Sequence, residues 1–382
     1  MKTYEKKKFK YDAKDTPDLV FREIKQKADR YFAINHIPRH GNAALIFKVI
    51  VLISVMALSY VSILYSHTFI QLLFSYIVFG WSGLVMGINL GHDAAHHCVT
   101  GNKKADSLIF SLVFGIQGLS TWIWQLRHNG SHHIFPNVYD ADTDMEITPL
   151  IYLDKHQEMH WYHRYQHLYA PFLYMFFSLG WIFFADFMFY SEKKHANITI
   201  YKFPPVEYLK LIIVKLVYIA VYLVIPIWVT HLPLYIILTA FFLMHFCVSL
   251  FLTFTFFISH HVTEVPYVEV RPENLSVPDS WTAHQINTTI DFNPNSKFAN
   301  FIFGGFNIHI AHHLFPEVSH VHYPKLTRII KETLEEHNLP WYKSFSFFDG
   351  VRSHLIHLRN IVRNADADIN SGEGHHHTLA HS

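Results

Sequence analysis

The sequence of 382 residues contains only two cysteines, Cys98 and Cys247, and no CxxC motif. A disulfide framework is therefore excluded, and a reducing compartment is compatible with this cysteine usage. Charged residues make up only 16% of the chain, and the formal net charge of +1 gives no indication of a nucleic-acid partner. The segment after Met1 is basic and mixed rather than apolar, so we expect no cleavable signal peptide.

Long uncharged runs hold much of the apolar content, which reaches 51% of all residues. A bilayer crossing takes about 20 consecutive apolar residues, so these runs predict membrane-spanning helices. Short links near His67 and Pro233 join them pairwise, which predicts two helical hairpins. The four predicted spans cover roughly residues 44–65, 69–90, 211–230 and 234–260.

Lysine and arginine indicate the orientation of these spans. The N-terminal segment carries the run Lys6–Lys8, the segment 191–210 carries four further lysines, and the two short links carry none. We therefore expect the N-terminus, the middle and the C-terminus on the cytoplasmic side. The predicted organisation is a cytosolic segment 1–43, a membrane domain 44–363 and a flexible tail 364–382.

Two further apolar stretches, Leu108–Trp124 and Leu168–Tyr190, do not fit a simple count of crossings. The first contains Gly115 and Gly118, and the second contains Asp186 and leads into a lysine-bearing loop. If the histidines on both sides of each stretch belong to one site, neither stretch can cross. We predict that both lie along the membrane interface or dip into it.

Histidine is the outlier of the composition, with 31 copies. Spacings of three and four residues place two imidazoles on one helical face, from where both can reach one metal. Three clusters show such spacings, and each lies close to a predicted span on the predicted cytoplasmic side. They are Gly91–His97 (GHDAAHH), His128–His133 (HNGSHH) and His309–His313 (HIAHH).

One such pair is weak support for a site, but the three clusters together supply at least eight imidazoles. That is twice the number in a tetrahedral zinc site. An imidazole-dominated set suits two metals of intermediate softness, and iron is the natural choice for oxygen chemistry. The predicted fold class is an all-α integral membrane protein with four transmembrane helices and a helical cytosolic cap that carries a di-metal site.

The chain resembles the integral-membrane fatty-acid desaturases of the histidine-box family over roughly residues 40–345. GHDAAHH is similar to their first box, WQLRHNGSHH to the second and GGFNIHIAHHLFPEVSHVHYPKL to the third with its flanks. Trp281–Ser296 resembles the segment that precedes the third box. The resemblance implies that nine histidines bind two iron ions: His92, His96, His128, His132, His133, His261, His309, His312 and His313.

For the ninth position the family places a histidine near the end of the fourth span, and we favour His261 over His260 there. His97 stands where the family usually has a small residue, so it is expected to be a neighbour rather than a ligand. Relatives that desaturate toward the carboxyl end often begin the third box with Gln, where this chain has His309. No His-Pro-Gly-Gly haem signature is present, which implies a separate electron donor such as a ferredoxin or a b-type cytochrome with its reductase.

Several further polar residues have both a supporting and an ordinary interpretation. Asp93, Asp140 and Asp142 could accept hydrogen bonds from ligand imidazoles, and Asp144 shares this pattern, but a solvated loop is an equal reading. His163 and His167 belong to a single-face stripe that begins at His156 and includes His160. A polar helix face packed near the active site is the favoured reading of this stripe, as is a hydrogen-bonded neutral state for His245 inside the fourth span.

The resemblance implies an oxygen-dependent fatty acyl desaturase that inserts a double bond with a di-iron centre. Its expected partners are dioxygen and an acyl chain carried by coenzyme A, acyl carrier protein or phospholipid. No side chain can oxidise an unactivated C–H bond, so the metal must carry that chemistry. The alternatives are a di-iron lipid hydroxylase, ketolase or monooxygenase of the same architecture and, less favoured, a zinc-dependent membrane hydrolase.

Overall fold

The structure is a computed structural model that describes residues 3–11, 16–145, 148–271 and 274–371. It is predominantly helical, with short strands between some of the helices. In the described ranges the α-helices are α1 Thr16–Ile34, α2 Ala43–Leu64, α3 Phe69–Met86, α4 His92–Ala95, α5 Lys103–Ile116, α6 Thr121–Arg127, α7 Gln166–Tyr174, α8 Phe177–Gly180, α9 Asp186–Ser191, α10 Pro205–Ile219, α11 Ile225–Thr230, α12 Leu234–Phe257, α13 Trp281–Asn287, α14 Lys297–Phe303, α15 His309–Leu314, α16 Tyr323–Glu336 and α17 Phe347–Ser371.

Turns of π- and 3₁₀-helix extend several of these helices. The π-helical turns have five residues each, and two of them carry histidine-box residues. The π-helical turns are Gly87–Gly91, His128–His132, Trp181–Ala185 and Ala220–Val224, and the 3₁₀ turns are Thr143–Met145, Trp161–Tyr165 and His320–His322.

Among the described residues, four helical stretches are long and apolar enough to cross a membrane, in agreement with the predicted number. The second runs through a π-helical turn and therefore reaches Ala95 instead of ending near residue 90. The third begins at Pro205, six residues before the predicted start, because proline at the first helical turn needs no N–H partner. They are Ala43–Leu64, Phe69–Ala95, Pro205–Thr230 and Leu234–Phe257.

The two additional apolar stretches form helix pairs that bend sharply. Lys103–Ile116 and Thr121–His132 meet at 107°, and Trp161–Tyr174 and Phe177–Ser191 meet at 75°. Neither pair is a straight crossing helix. Their position along the membrane interface stays a prediction.

In the part of the chain that the structure describes, seven short strands lie outside the long helices: β1 Tyr4–Lys6, β2 Lys10–Tyr11, β3 Lys194–His195, β4 Ile198–Ile200, β5 Ser276–Val277, β6 Asp291–Phe292 and β7 Ser344–Phe345. β1 and β3 pair antiparallel with β4, Tyr4 lying opposite Ile200, while β2 pairs in parallel with β5, and β6 with β7. The N-terminal segment is thereby fixed across two distant loops.

The core is divided between the long helices and the region beyond them. Among the long helices, the buried side chains of Tyr76, Tyr222 and Phe241 pack together, and the Tyr76 hydroxyl donates to the Tyr222 carbonyl at 2.6 Å. Beyond them, α1 packs on α16 through buried residues such as Ile24 and Ile330. Helix α17 continues to Ser371, into the tail predicted to be flexible from 364, and the rest of that tail lies outside the described residues.

Candidate metal centre

The first histidine box is set by the π-helical turn Gly87–Gly91 at the end of α3. A π-helical turn holds one more residue than an α-helical turn, and such turns are frequent at functional sites. It leads directly into α4, which begins at His92, and the His92 and His96 rings lie 4.9 Å apart between centroids. Both side chains are buried.

A π-helical turn also sets the position of the second box. Helix α6 ends at Arg127, and the π-helical turn His128–His132 follows without a break. The His128 ring stacks on Trp124 at 4.2 Å between centroids, which fixes its plane. His132 and His133 point to different neighbours, with His133 closer to the first box.

The third box depends on a glycine pair and an aspartate. Gly304 and Gly305 have φ of +54° and +92°, and a Cβ on Gly304 would come within 2.7 Å of the Ile88 carbonyl oxygen. Only glycine fits such a position easily, so the pair lets the third box approach the first box closely. The Asp291 carboxylate then accepts from the Ile310 N–H at 2.9 Å and satisfies the start of α15.

The three boxes converge on two groups of buried imidazoles, and in each group one nitrogen per ring lies within 4.8 Å of all the others. The groups touch, since the His133 and His313 rings lie 4.6 Å apart between centroids. The five-histidine group consists of His92, His96, His128, His133 and His312, and the four-histidine group consists of His132, His260, His309 and His313.

The unpaired nitrogens of both groups fit metal binding. The Nε2 atoms of His96, His312 and His313 are buried and have no hydrogen-bond partner among the described residues. Where rings do meet, two nitrogens face each other, as between His309 and His260 Nε2 at 2.8 Å. Orphaned buried polar atoms are costly, and imidazole is a common ligand of iron, copper, nickel and zinc. The donor sets therefore fit two metal ions.

Partners on the other ring nitrogen orient several of these imidazoles. With Nε2 free for a metal, Nδ1–H donates to the Tyr323 hydroxyl from His312 at 3.1 Å and to Gln285 Oε1 from His313 at 2.8 Å. His260 Nδ1–H donates to the Thr288 carbonyl at 2.9 Å. Such contacts fix the tautomer and the plane of a ligand ring.

Burial and neighbouring rings keep most of these imidazoles neutral. Burial lowers the pKa of His312 and His313 well below the usual value, with nearby histidines adding to the effect, and it lowers the pKa of His260 to about 3. Their lone pairs are therefore available for a metal at neutral pH.

His132 is the exception among these imidazoles. Burial opposes its charged form, but the carboxylates of Asp142 and Asp144 outweigh burial and raise the pKa of His132 to about 9. Asp142 is the acceptor of the His132 Nδ1–H at 3.1 Å, as expected for a carboxylate that supports a ligand.

The structure contradicts the choice of His261 over His260. The His260 ring lies in the four-histidine group, whereas His261 directs Nδ1 at the Tyr267 hydroxyl, 3.0 Å away, and lies in neither group. The chain leaves α12 at Phe257, so consecutive residues beyond that point face different sides. His97, expected to be a neighbour, also lies in neither group.

Two of the carboxylates that were predicted to support ligand imidazoles contact other side chains instead. Asp93 accepts from His320 Nδ1 at 2.9 Å and from the Ser319 hydroxyl at 2.7 Å, and it has no imidazole of either group as a partner among the described residues. Asp140 forms surface ion pairs with Lys7 and Lys194. The expectation that these two carboxylates hold ligand imidazoles is therefore wrong.

The predicted histidine stripe does not reach the two groups in the structure. His163 Nε2 contacts the Pro149 carbonyl oxygen at 2.9 Å, and its Nδ1 accepts from the His160 N–H. The pKa of His167 is lowered by burial and by Arg359 and Arg363. Both belong to the helical region around α7 and contact α17 or the adjoining loop.

Sequence reasoning missed three supporting residues, namely Gln285, Thr288 and Tyr323. Gln285 and Thr288 lie in the stretch before the third box and Tyr323 lies in its flank, so the local similarity to desaturases marked both stretches. Their separation of up to 28 residues from the ring each contacts hid the specific pairs.

A cavity of about 490 Å³ extends from the metal centre among the long helices. His92, His128 and His132 form part of its wall, and mainly apolar residues from α3, α8, α10 and α12 form most of the rest. A predominantly apolar cavity with a few convergent polar groups is typical of a small-molecule binding site.

Fold and site together define a membrane protein with a buried histidine metal site next to an apolar cavity. The comparison with protein families agrees, since the profile of the family described as Fatty acid desaturase matches residues 67–345. The chain belongs to this family and is an oxidoreductase that desaturates fatty acyl chains.

Individual relatives cover most of the chain. The sn-1 linoleoyl-lipid 6-desaturase of Arthrospira platensis is 27% identical over 350 residues, which are 90% of this chain and 93% of the relative. The acyl-lipid (8-3)-desaturase of Physcomitrium patens is 30% identical over 88% of this chain and 70% of its own length. The sn-1 linoleoyl-lipid 6-desaturase of Synechocystis sp. (strain ATCC 27184 / PCC 6803 / Kazusa) is 25% identical over 86% and 90%.

Proposed function

We propose that this protein is a di-iron desaturase of acyl lipids that uses dioxygen and electrons from a separate protein donor. The observation that carries the proposal is the convergence of nine buried imidazoles in two adjoining groups beside an apolar cavity. Similarity to relatives named as acyl-lipid and linoleoyl-lipid desaturases supports the substrate class.

In this proposal the five-histidine group holds one iron and the four-histidine group holds the other. Neither group contains a cysteine or a carboxylate, apart from Asp142 and Asp144 beside His132. Iron suits such a nitrogen-rich set in oxygen chemistry, whereas structural zinc uses only four ligands. Bound iron would supply the oxidising power that an unactivated C–H bond requires.

The protein itself orients the ligand imidazoles and encloses the acyl chain. Gln285, Thr288 and Tyr323 hold ligand rings in one tautomer, and Trp124 packs flat on His128. Apolar side chains such as Leu252 and Phe256 line the cavity, so an acyl chain placed there is shielded from water. Rigid positioning of the chain against the metal centre would then select the carbon that loses hydrogen.

The orientation in the membrane forms part of the proposal. The basic N-terminal strand lies on the same part of the molecule as the second box, since a Cβ added to Gly130 would lie 3.3 Å from Lys6 Nζ. Together with the lysines of 191–210, it supports a cytoplasmic metal centre with cytoplasmic termini. A soluble donor such as a ferredoxin, or a b-type cytochrome with its reductase, would reach the centre from that side.

Fatty-acid profiling of a host that expresses the chain tests this function. We expect new acyl products lighter by two hydrogens in the lipid fraction, and none from His312→Ala. Products heavier by one oxygen would identify a hydroxylase of the same architecture instead. Iron in the purified wild-type protein without any new acyl product, under supply of a donor and its reductase, would contradict the proposal.

A further inference from the structure

Arg127 occupies a special place between the cavity and the metal centre. It is the last residue of α6 and directly precedes His128 of the five-histidine group. Its side chain lines the cavity together with the polar residues Gln117, Asp144 and Thr148. These polar residues belong to a wall that is otherwise mainly apolar.

Contacts with the protein hold the guanidinium of Arg127 in place, but they leave some of its N–H donors without an acceptor among the described residues. Nη2 donates to the Thr143 carbonyl at 2.9 Å, and the group lies 5.1 Å from the centroid of the Trp181 ring, a cation–π contact. Its side chain is 17% exposed. Nε is buried and has no hydrogen-bond partner among the described residues.

A guanidinium has five N–H donors, and only Nη2 makes a hydrogen bond among the described residues, so donors remain for an acceptor on a molecule bound in the cavity that Arg127 lines. Two features indicate which acceptor fits. Asp144 lies 3.8 Å from Nη2 and already balances the charge of Arg127, which disfavours a second carboxylate. The cavity that Arg127 lines is otherwise apolar, which suits the acyl part of a substrate.

We propose that the Arg127 guanidinium donates a hydrogen bond to the carbonyl oxygen of the ester or thioester that links the acyl chain to its carrier. This inference rests on the proposed function and names the group by which the substrate is held. Because Arg127 adjoins His128 in sequence, the carbonyl is anchored beside the metal centre. The position of the new double bond is then counted from the carboxyl end of the chain.

The first test uses the purified, iron-loaded wild-type protein with its donor system and needs no variant. An acyl phospholipid is compared with the corresponding alkyl-ether phospholipid, and an acyl-coenzyme A with the corresponding alkyl thioether, so that each pair differs in the carbonyl alone. Hydrogen bonds to charged groups lead us to expect kcat/KM at least about tenfold higher for the carbonyl member of the pair that is used. Which pair shows turnover distinguishes a lipid ester from a thioester.

The second test compares variants. In Arg127→Met the preference for the carbonyl member should disappear, KM for it should rise about tenfold or more, and double bonds should form at more than one position. Arg127→Lys keeps the charge beside Asp144 but lacks the guanidinium, so it should broaden the positions of the double bond while it retains iron. The matched control is Arg164→Met, since Arg164 pairs with Asp366 and does not line the cavity.

Equal turnover of carbonyl and carbonyl-free substrates by the wild type, with the double bond at one unchanged position, would overturn the inference. So would an iron-loaded Arg127→Lys or Arg127→Met variant with wild-type KM and a single product. Neither result touches the desaturase function, because both require that a double bond is formed. Absence of any desaturated product from the wild type would instead contradict the proposed function.

Discussion

At the scale of residues, the metal centre depends on which nitrogen of each imidazole is free. His312 and His313 are adjacent and belong to different groups, yet each has an oxygen partner on Nδ1 and a buried, unpaired Nε2. The partner on one side thus decides which side of the ring a metal can use. Counting histidines is therefore insufficient to define the site.

The neighbouring pair His260 and His261 offers a matched test. His260→Ala removes one ring of the four-histidine group, so we expect loss of about one metal ion per chain and loss of activity. His261→Ala removes a ring that contacts Tyr267 instead, and it should keep its metal. Metal analysis of both purified variants checks this, and full metal content in His260→Ala with loss in His261→Ala would reverse the assignment.

Gln285 provides a second test, because its only role at the centre in this account is to orient His313. Partners of this kind typically change metal affinity or activity 10–100-fold. We expect a loss of metal affinity or activity in that range for Gln285→Leu, while Gln71→Leu in the first turn of α3 serves as control. Unchanged metal affinity and activity in Gln285→Leu would show that the contact has no such role.

Spacings of three and four marked the three boxes in the sequence, and the resemblance to desaturases implied that their eight histidines are ligands. The structure brings all eight into the two groups, and their role as ligands stays a prediction. The sequence did not single out the ninth histidine. His260 and His261 follow the end of α12 directly, where no regular period tells which ring turns inward. The prediction for Asp93 was wrong for a related reason, since its partner His320 lies 227 residues away in the chain.

At the scale of elements, hydrogen bonds among Ser178, Tyr218, His245 and Ser249, here called the polar clasp, fix the bend of the second helix pair. Ser249 on α12 accepts from the Ser178 N–H at 3.0 Å, just after the break between α7 and α8. His245 contacts the Ser178 hydroxyl at 2.7 Å and also the Tyr218 hydroxyl. The expectation of a hydrogen-bonded His245 is therefore met, with partners on two other segments.

Replacing His245 should destabilise the packing of α7 and α8 against α12. His245→Leu leaves the buried Tyr218 hydroxyl without its partner, which costs about 1–3 kcal/mol, and it leaves the Ser178 hydroxyl with its contact to Ser249 alone. We expect a lower midpoint of thermal unfolding in detergent than for the wild type. Cys247→Ala, at an exposed position on the same helix, serves as control, and equal midpoints for all three proteins would refute the clasp.

Element boundaries show where composition alone is insufficient. The apolar runs predicted four spans, but not that Gly87–Gly91 would be a π-helical turn that carries the helix on to Ala95. Glycine and apolar residues in such a turn leave no distinctive pattern. The sharp bends of the additional pairs were indicated only by Gly115, Gly118 and the polar residue Asp186.

At the scale of the whole molecule, the account requires all three boxes on one side of the membrane. The structure brings them together, so the chain between the second and third boxes must return to that side. The pairing of β1 with β4 also requires that the N-terminal segment and residues 198–200 lie on the same side of the membrane. This long-range pairing has no signal in the sequence.

Topology reporters check this arrangement in cells. A reporter inserted near residue 200 should respond as cytoplasmic, and reporters in the turns at His67 and His231 should respond as external. The reason is that the lysines of 191–210 are retained on the cytoplasmic side. An external response at residue 200 would place the second and third boxes on opposite sides and would contradict the fold.

The most direct test of the metal centre is an experimental structure of the iron-loaded protein with anomalous diffraction recorded at the iron edge. We expect two iron peaks, one surrounded by the five-histidine group and one by the four-histidine group with His260. A single peak, or zinc in place of iron, would contradict the central claim.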